Sequence, residues 1–221
     1  MAQNVVITGA NRGIGLAMAE IYAARGDKVF AVCRHSSAKL DALMVNVIED
    51  VDVSTDVGIE RLSNELSGIE IDVLINNAGI LRDESLSDLN MDTINEQFQV
   101  NTLGPLKVSH ALLSNLNPGS KLALITSRMG SIADNTSGGR YGYRMSKAAL
   151  NAAGMSLAQD LMTENIAVGI YHPGYVQTDM VNNRGDIPAS EAANRIVKLI
   201  DNLTLDESGL FRHSNGEVLP W

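Results

Sequence analysis

Tyr143 and Lys147 stand four residues apart, at the opening of an alanine-rich, proline-free run, Ala148-Ala149-Leu150-Asn151-Ala152-Ala153. Such a run favours helix. Residues at that spacing share one helical face, so the phenol and the ammonium are neighbours. A phenol titrates near roughly 10, too high for an acid or base at neutral pH. A fixed cation beside it favours the phenolate and lowers that value, making proton exchange with an alcohol or carbonyl oxygen practical. The same spacing also occurs on ordinary helix surfaces, so the pair gains meaning only from the elements that position it.

The first of these elements is Val5-Val6-Ile7, a continuous apolar run of the kind found in a strand buried on both faces. Thr8-Gly9-Ala10-Asn11-Arg12-Gly13-Ile14-Gly15 follows, then an amphipathic helix with Leu16, Ala19, Ile21 and Ala24 that stops near Gly26. Strand, glycine turn and helix form the context that a dinucleotide-binding fingerprint requires. Gly9 suits the tight turn, Gly13 lets backbone approach a pyrophosphate, and Gly15 lets the helix pack closely on the sheet. The helix start then offers unpaired N–H groups to the anion.

A second strand runs from Lys28 to Cys33, followed by Arg34 and a polar helix start at His35-Ser36-Ser37. A site for NAD often has a carboxylate at the end of this strand for the adenosine ribose. Here the chain has Cys33 and then Arg34, which suits the 2′-phosphate of NADP instead. Arg12 reaches the same ribose from the glycine turn, and guanidinium groups bind phosphate through paired hydrogen bonds. The third strand, Asn46 to Val51, ends in Asp52-Val53-Ser54. Asp52 suits either an adenine contact or the cap of a helix starting near Thr55, and the two roles do not exclude each other.

Ile71 to Ile75 makes a fourth strand and leads into Asn76-Asn77-Ala78-Gly79, where Ala78 and Gly79 leave room for a ligand. A long helix is expected from about Met91 to Leu116, kinked at Gly104-Pro105. Asn101 within it is unfavourable on propensity, and is either incidental or kept for its amide. Lys121 to Thr126 is the fifth strand, with Ser127 at its carboxyl end, and Arg128 to Arg140 reads as a loop. Asn165 to Tyr171 is the sixth, and His172-Pro173-Gly174 opens an irregular stretch through Pro188. A helix from Ala189 to Leu203 and a short strand at Leu210-Phe211 close the chain. Strands alternating with helices throughout predict one doubly wound α/β domain over 1–221, with a mainly parallel sheet.

Composition narrows the function further. The 221 residues include 45% hydrophobic ones and suffice for one domain with an ample core. The net charge of −9 argues against a nucleic-acid or anionic-membrane partner. With Cys33 the only cysteine, an intramolecular disulfide and a cysteine-based metal site are both excluded. His35, His110, His172 and His213 lack metal-ligand spacing and read as structural or surface residues, so no metal is expected. No basic-then-apolar leader opens the sequence, and no apolar stretch approaches the roughly 18 residues of a membrane span. The expected location is the cytoplasm.

Assembled, these residues resemble the short-chain dehydrogenase/reductase family from about Val5 to the C-terminus. Five motifs stand in that family's order: Thr8 to Gly15, Asn76 to Gly79, Asn101, Ser127, and Tyr143 with Lys147. Pro173-Gly174-Tyr175-Val176-Gln177-Thr178 is similar to its Pro-Gly-xxx-Thr segment. The short chain, the run Ile125 to Ser131 and the Leu219-Pro220-Trp221 ending resemble the group containing the bacterial C-factor and small carbonyl reductases. The resemblance implies a Rossmann-type fold and NADP(H)-dependent reduction of an aldehyde, ketone or quinone, or oxidation of the corresponding alcohol. It makes Tyr143 the general acid/base, Lys147 the holder of the nicotinamide ribose, Ser127 the partner of the substrate oxygen, and Asn101 the holder of a relay water. Gly9, Asn11, Arg12, Gly13, Ile14 and Gly15 would line the cofactor, with Arg34, Asp52, Val53, Asn77, Ala78 and Gly79. Pro173, Gly174, Val176 and Thr178 would flank its carboxamide. The resemblance further implies a homodimer or homotetramer, and leaves a dinucleotide-binding signalling protein of the C-factor type as the alternative. Ser127 and Tyr143 are sixteen residues apart, slightly more than is usual, and Tyr141 sits nearer the usual spacing. Met145 follows Tyr141 at the fourth position, so only Tyr143 has its lysine, and Gly138-Gly139 reads as a small loop insertion.

Overall fold

A computed structural model describes residues 2–221. Its elements, in chain order, are β1 (Asn4–Thr8), α1 (Gly13–Ala24), β2 (Lys28–Val32), α2 (Ala38–Asp41), β3 (Asn46–Ile48), α3 (Asp56–Glu65) and β4 (Ile71–Asn76). There follow α4 (Met91–Phe98), α5 (Gly104–Ala111), β5 (Leu116–Ile125), α6 (Tyr141–Leu161) and β6 (Ala167–His172). The chain ends with β7 (Val176–Gln177), β8 (Ile187–Pro188), α7 (Ala189–Asn202) and β9 (Phe211–His213). Seven strands form one sheet in the order β3-β2-β1-β4-β5-β6-β9, every neighbouring pair parallel. Strands β7 and β8 pair separately.

The alternation within β1 shows why the sheet needs helices on both faces. Val6 packs with Val32, Leu74, Leu122 and Val168 beneath residues of α3, α5 and α6, such as Leu62, Val108 and Leu150. Val5 and Ile7 point the other way, against Met18 and Tyr22 of α1 and Ile196 and Ile200 of α7. A parallel sheet covered on both faces is the reason its strands read as unbroken apolar runs. Chain order reverses between β1 and β4, and in such folds the crevice at the strands' carboxyl ends there is where ligands bind.

Several boundaries differ from those the sequence suggests. Helix does not run unbroken from Met91 to Leu116: Gln99–Leu103 is a π-helical turn between α4 and α5, and α5 ends at Ala111. Pro105 sits in the first turn of α5, where its missing N–H costs nothing, so the irregularity falls just ahead of it. Strand β3 stops at Ile48 because Asp50 takes a positive φ of 60° and turns the chain. Strand β5 begins five residues early, at Leu116, and β6 begins late because Asn165 is left-handed at φ 57°. The last strand is Phe211–His213 rather than Leu210-Phe211. None of these shifts moves a strand's carboxyl end away from the crevice.

Candidate active site

The crevice at the β1/β4 switch is a cleft of about 510 Å³ running from the glycine turn to the start of α6. At its floor the Thr8 hydroxyl accepts from the backbone N–H of Asn77 (3.0 Å) and of Ala78 (3.1 Å). The Asn77 amide in turn donates to the carbonyls of Thr8 (2.9 Å) and Gly9 (3.2 Å). These bonds lock the two strand ends so tightly that side chains have no room. A methyl on Gly9, whose φ is +68°, would meet the Ala78 Cα at 2.9 Å, and one on Gly15 would collide with the Gly9 carbonyl oxygen. Helix α1 starts without a side-chain cap and without an acidic residue in its first turn. Its first N–H groups therefore face the cleft free for an anion.

The far wall holds the residues from which proton transfer is expected. Tyr143 and Lys147 both line the cleft, Tyr141 does not, and Tyr143 and Lys147 are only 9% and 4% exposed. The Lys147 ammonium lies 5.8 Å from the Tyr143 ring centre and donates to the Ile125 carbonyl at 3.0 Å. The neighbourhood expected from their spacing is present, but burial outweighs it in setting protonation. Burial raises the Tyr143 phenol, opposed by the Ser127 hydroxyl and the charge of Arg140. Burial likewise brings the Lys147 ammonium down to about 8. An ammonium that loses its proton so easily can pass protons at neutral pH.

Ser127 and Asn101 do not line the cleft surface themselves, but the Ser127 hydroxyl meets the Tyr143 phenol that does. Ser127, 7% exposed, caps a short turn by accepting from the Met129 N–H at 3.1 Å. That turn lies against α6 because residue 130 is glycine: a Cβ there would come within 2.6 Å of the Lys147 carbonyl carbon. Asn101 sits in the π-helical turn with no exposed surface. Both its amide protons are committed, donating to the Ile80 carbonyl (2.9 Å) and the Ser146 hydroxyl (3.1 Å), and its oxygen accepts from the Ile80 N–H (2.8 Å). Thr102 adds a bond to the Ser146 carbonyl at 2.8 Å. The π-helical turn thus fastens α6 to the strand-end loop.

The end of the cleft where the sequence reading expects the adenosine ribose is bounded by Cys33, Arg34, Asp52 and Val53. Burial pushes the Cys33 thiol up to about 11, so it carries no charge there. Arg34 is exposed at the cleft edge. Burial alone would raise the Asp52 carboxyl, but its hydrogen bonds to Ser54 and the charge of Arg34 hold it below the usual range. Of the two roles open to Asp52, the helix cap falls to Thr55, whose hydroxyl accepts from the Gly58 N–H at 3.1 Å. Arg12 faces Asp179 at 3.9 Å, across the mouth of the cleft. Asn11, Gly13, Ile14, Gly79, Pro173 and Thr178 also line it, whereas Gly15, Gly174 and Val176 lie outside its surface.

Some contributors escaped the sequence reading. Thr8 and Gly130 act through contacts with residues far along the chain, and their types alone do not mark them. Arg82 and Glu96 form an ion pair at 3.0 Å on the cleft wall. Among the described residues no cluster suits a metal ion, and no helix is long and apolar enough to cross a membrane.

Comparison with known proteins agrees with this geometry. A family model described as short chain dehydrogenase matches residues 3–188. The chain is 39% identical to 1-hydroxy-2-glutathionyl-2-methyl-3-butene dehydrogenase of a Rhodococcus species, covering 98% of this chain and 99% of that protein. It is 44% identical to C-signal of Myxococcus xanthus, over 68% of this chain and 93% of the other. The NADPH-bound carbonyl reductase from chicken fatty liver superposes with a TM-score of 0.89 at 29% identity, covering 100% of this chain and 99% of that one.

Proposed function

Because the chain belongs to the short-chain dehydrogenase/reductase family, we propose that it reduces an aldehyde, ketone or quinone with NADPH, or oxidises the corresponding alcohol with NADP. The observation that carries this reading is the meeting of buried Tyr143 and Lys147 in one cleft with a glycine-lined anion site. The glycine positions, which a Cβ would fill, and the uncapped start of α1 suit a dinucleotide phosphate. When bound, the dinucleotide supplies hydride transfer at its nicotinamide.

The residues of the chain supply everything else. Tyr143 gives its phenolic proton to the substrate oxygen, or takes it in the reverse direction. Burial keeps that phenol protonated and ready as an acid. Ser127 donates to the same oxygen, and a preorganised donor at developing charge is a large catalytic term. Lys147 holds the ribose and replaces the proton that Tyr143 gives up. Both amide protons of Asn101 are spent on Ile80 and Ser146, so Asn101 would hold a relay water through an oxygen. Pro173 and Thr178, which line the cleft, would flank the nicotinamide carboxamide, and Gly174 and Val176 would shape the segment that carries them.

The cofactor reading is NADP over NAD. The neutral Cys33 offers no carboxylate to repel a 2′-phosphate, and Arg34 and Arg12 stand to meet it. Arg34→Ala is expected to weaken NADPH binding by about ten- to a hundred-fold, the loss of one charge-assisted hydrogen bond, and leave NADH nearly untouched. Equal losses for both cofactors in fluorescence titration, or a wild-type preference for NADH, would remove this assignment.

A homodimer or homotetramer is proposed with it, through the helices that carry Asn101 and Tyr143. Leu103, Leu106 and Met145 leave apolar surface exposed there. A second reading, a dinucleotide-binding signalling protein, rests on the likeness to C-signal. A binding protein has no use for the full proton-transfer set, which favours turnover. The deciding test is a panel of aldehydes, ketones and quinones with NADPH and with NADH, followed at the reduced nicotinamide absorbance. Consumption of NADPH with at least one class supports reduction, and tight NADPH binding with no consumption across the panel supports signalling.

A further inference from the structure

Glu84 is only 4% exposed and lies outside the cleft, and among the ion pairs of the described residues none involves it. Every contact it makes comes from a donor. Its Oε1 accepts from the Thr93 hydroxyl (2.8 Å) and the Gln97 amide (2.7 Å). Its Oε2 accepts from the Gly142 N–H (3.2 Å), in the first turn of α6, one residue before Tyr143. The Glu84 carbonyl accepts from the Arg140 N–H at 2.7 Å, and Arg140 is left-handed at φ 51° where the loop becomes helix. Gln97 has no exposed surface, and its Oε1 accepts from the Arg82 N–H at 2.9 Å. Residue 142 has to be glycine, since a Cβ would come within 3.0 Å of the Ile94 Cα and also strike the Gln97 amide.

We propose that Glu84 is a positioning residue for Tyr143: with Gln97 it clasps the first turn of α6 to α4 and fixes where the phenol stands relative to Ser127. This rests on the reading of Tyr143 as the proton donor. On one side the loop between Ser127 and Tyr143, in which Gly138 and Gly139 both adopt φ of +63°, is tied to α6 by Arg144, which donates to Ser137 (2.8 Å) and the Gly138 carbonyl (3.3 Å). The clasp holds the same turn of α6 from the other side. Donors on both oxygens require an acceptor-only group, which is what an ionised carboxylate is.

Glu84→Gln keeps the shape but places an NH₂ against a donor, whichever way the amide turns. A displaced phenol is expected to lower kcat by about 10- to 100-fold with cofactor affinity held within about two-fold. The exchange Glu84→Gln with Gln97→Glu restores the bond between the two side chains: residue 84 then donates to residue 97 and still accepts from Gly142, while residue 97 gives up its bond to the Thr93 carbonyl at 3.2 Å. The exchanged pair is expected to recover part of the lost kcat. A single variant with wild-type kcat, or a pair no better than the single, overturns the proposal. Deuterium exchange of the 141–147 amides separates this outcome from a failure of the reductase reading. If the wild type reduces no carbonyl, protection lost in Glu84→Gln and regained in the pair keeps the clasp. Unchanged protection in Glu84→Gln removes it.

Discussion

Tyr143→Phe is expected to lower carbonyl turnover by about 10²- to 10⁴-fold, the usual cost of losing a general acid, with cofactor affinity near that of the wild type. The substitution deletes one hydroxyl from a residue already 9% exposed, so packing changes little. Tyr141→Phe is the matched control, since Tyr141 opens α6 but does not line the cleft. A Tyr143→Phe enzyme that keeps most of its kcat while Tyr141→Phe loses it would reassign the acid. Parallel loss in both would point to damage at the start of α6 instead.

Lys147→Met is expected to act in opposite directions on function and on stability. Turnover and cofactor binding should fall together, because one ammonium serves both the ribose and the phenol. The folded protein should nevertheless become more stable. Lys147 is 4% exposed, with a single hydrogen bond to the Ile125 carbonyl, and burial brings it from 10.5 to about 8. That fall corresponds to about 3 kcal/mol against the charged form at neutral pH. Methionine removes this penalty but leaves the Ile125 carbonyl unpaired, at a cost of about 1 kcal/mol. The net gain of about 2 kcal/mol should raise the Tm by about 4 to 8 °C in a domain of this size.

The pH dependence carries the same signature. Between pH 8 and 10.5 the unfolded chain holds the Lys147 proton and the folded chain does not. Stability from this group therefore rises with pH across that window, and the penalty is fully present below it. Thermal melts in the absence of nucleotide should show this rise in the wild type and its loss in Lys147→Met. A lowered Tm for Lys147→Met at neutral pH would show that the lysine stabilises its surroundings instead.

The parts of the molecule legible in the sequence are those dictated by local pattern. Val5-Val6-Ile7 and Val73-Leu74-Ile75 read as strands because a two-sided sheet demands unbroken apolar runs, and both lie in the core. The glycine turn was legible because strand, turn and helix are consecutive. The π-helical turn at Asn101 was not, because its geometry depends on bonds to Ile80 and Ser146, which are remote in sequence. The loop ending at Arg140 was legible and α6 does start at Tyr141, but the Glu84 carboxylate that accepts from the Gly142 N–H was not, since it arrives from 58 residues away. Spacing correctly brought Tyr143 and Lys147 together, but not the direction of their protonation. Burial by the whole fold sets that direction, and no four-residue motif contains it.

Hydride transfer to a carbonyl with Tyr143 as the proton source is tested most directly by isotope transfer. The protein is incubated with a carbonyl it turns over and NADPH in which both hydrogens of the transferring nicotinamide carbon are deuterium, and the alcohol is weighed by mass spectrometry. The expected alcohol is one deuterium heavier than its unlabelled form, appears in step with oxidised cofactor, and is nearly absent with Tyr143→Phe. An unlabelled alcohol, or labelled alcohol formed equally well by Tyr143→Phe, would contradict it.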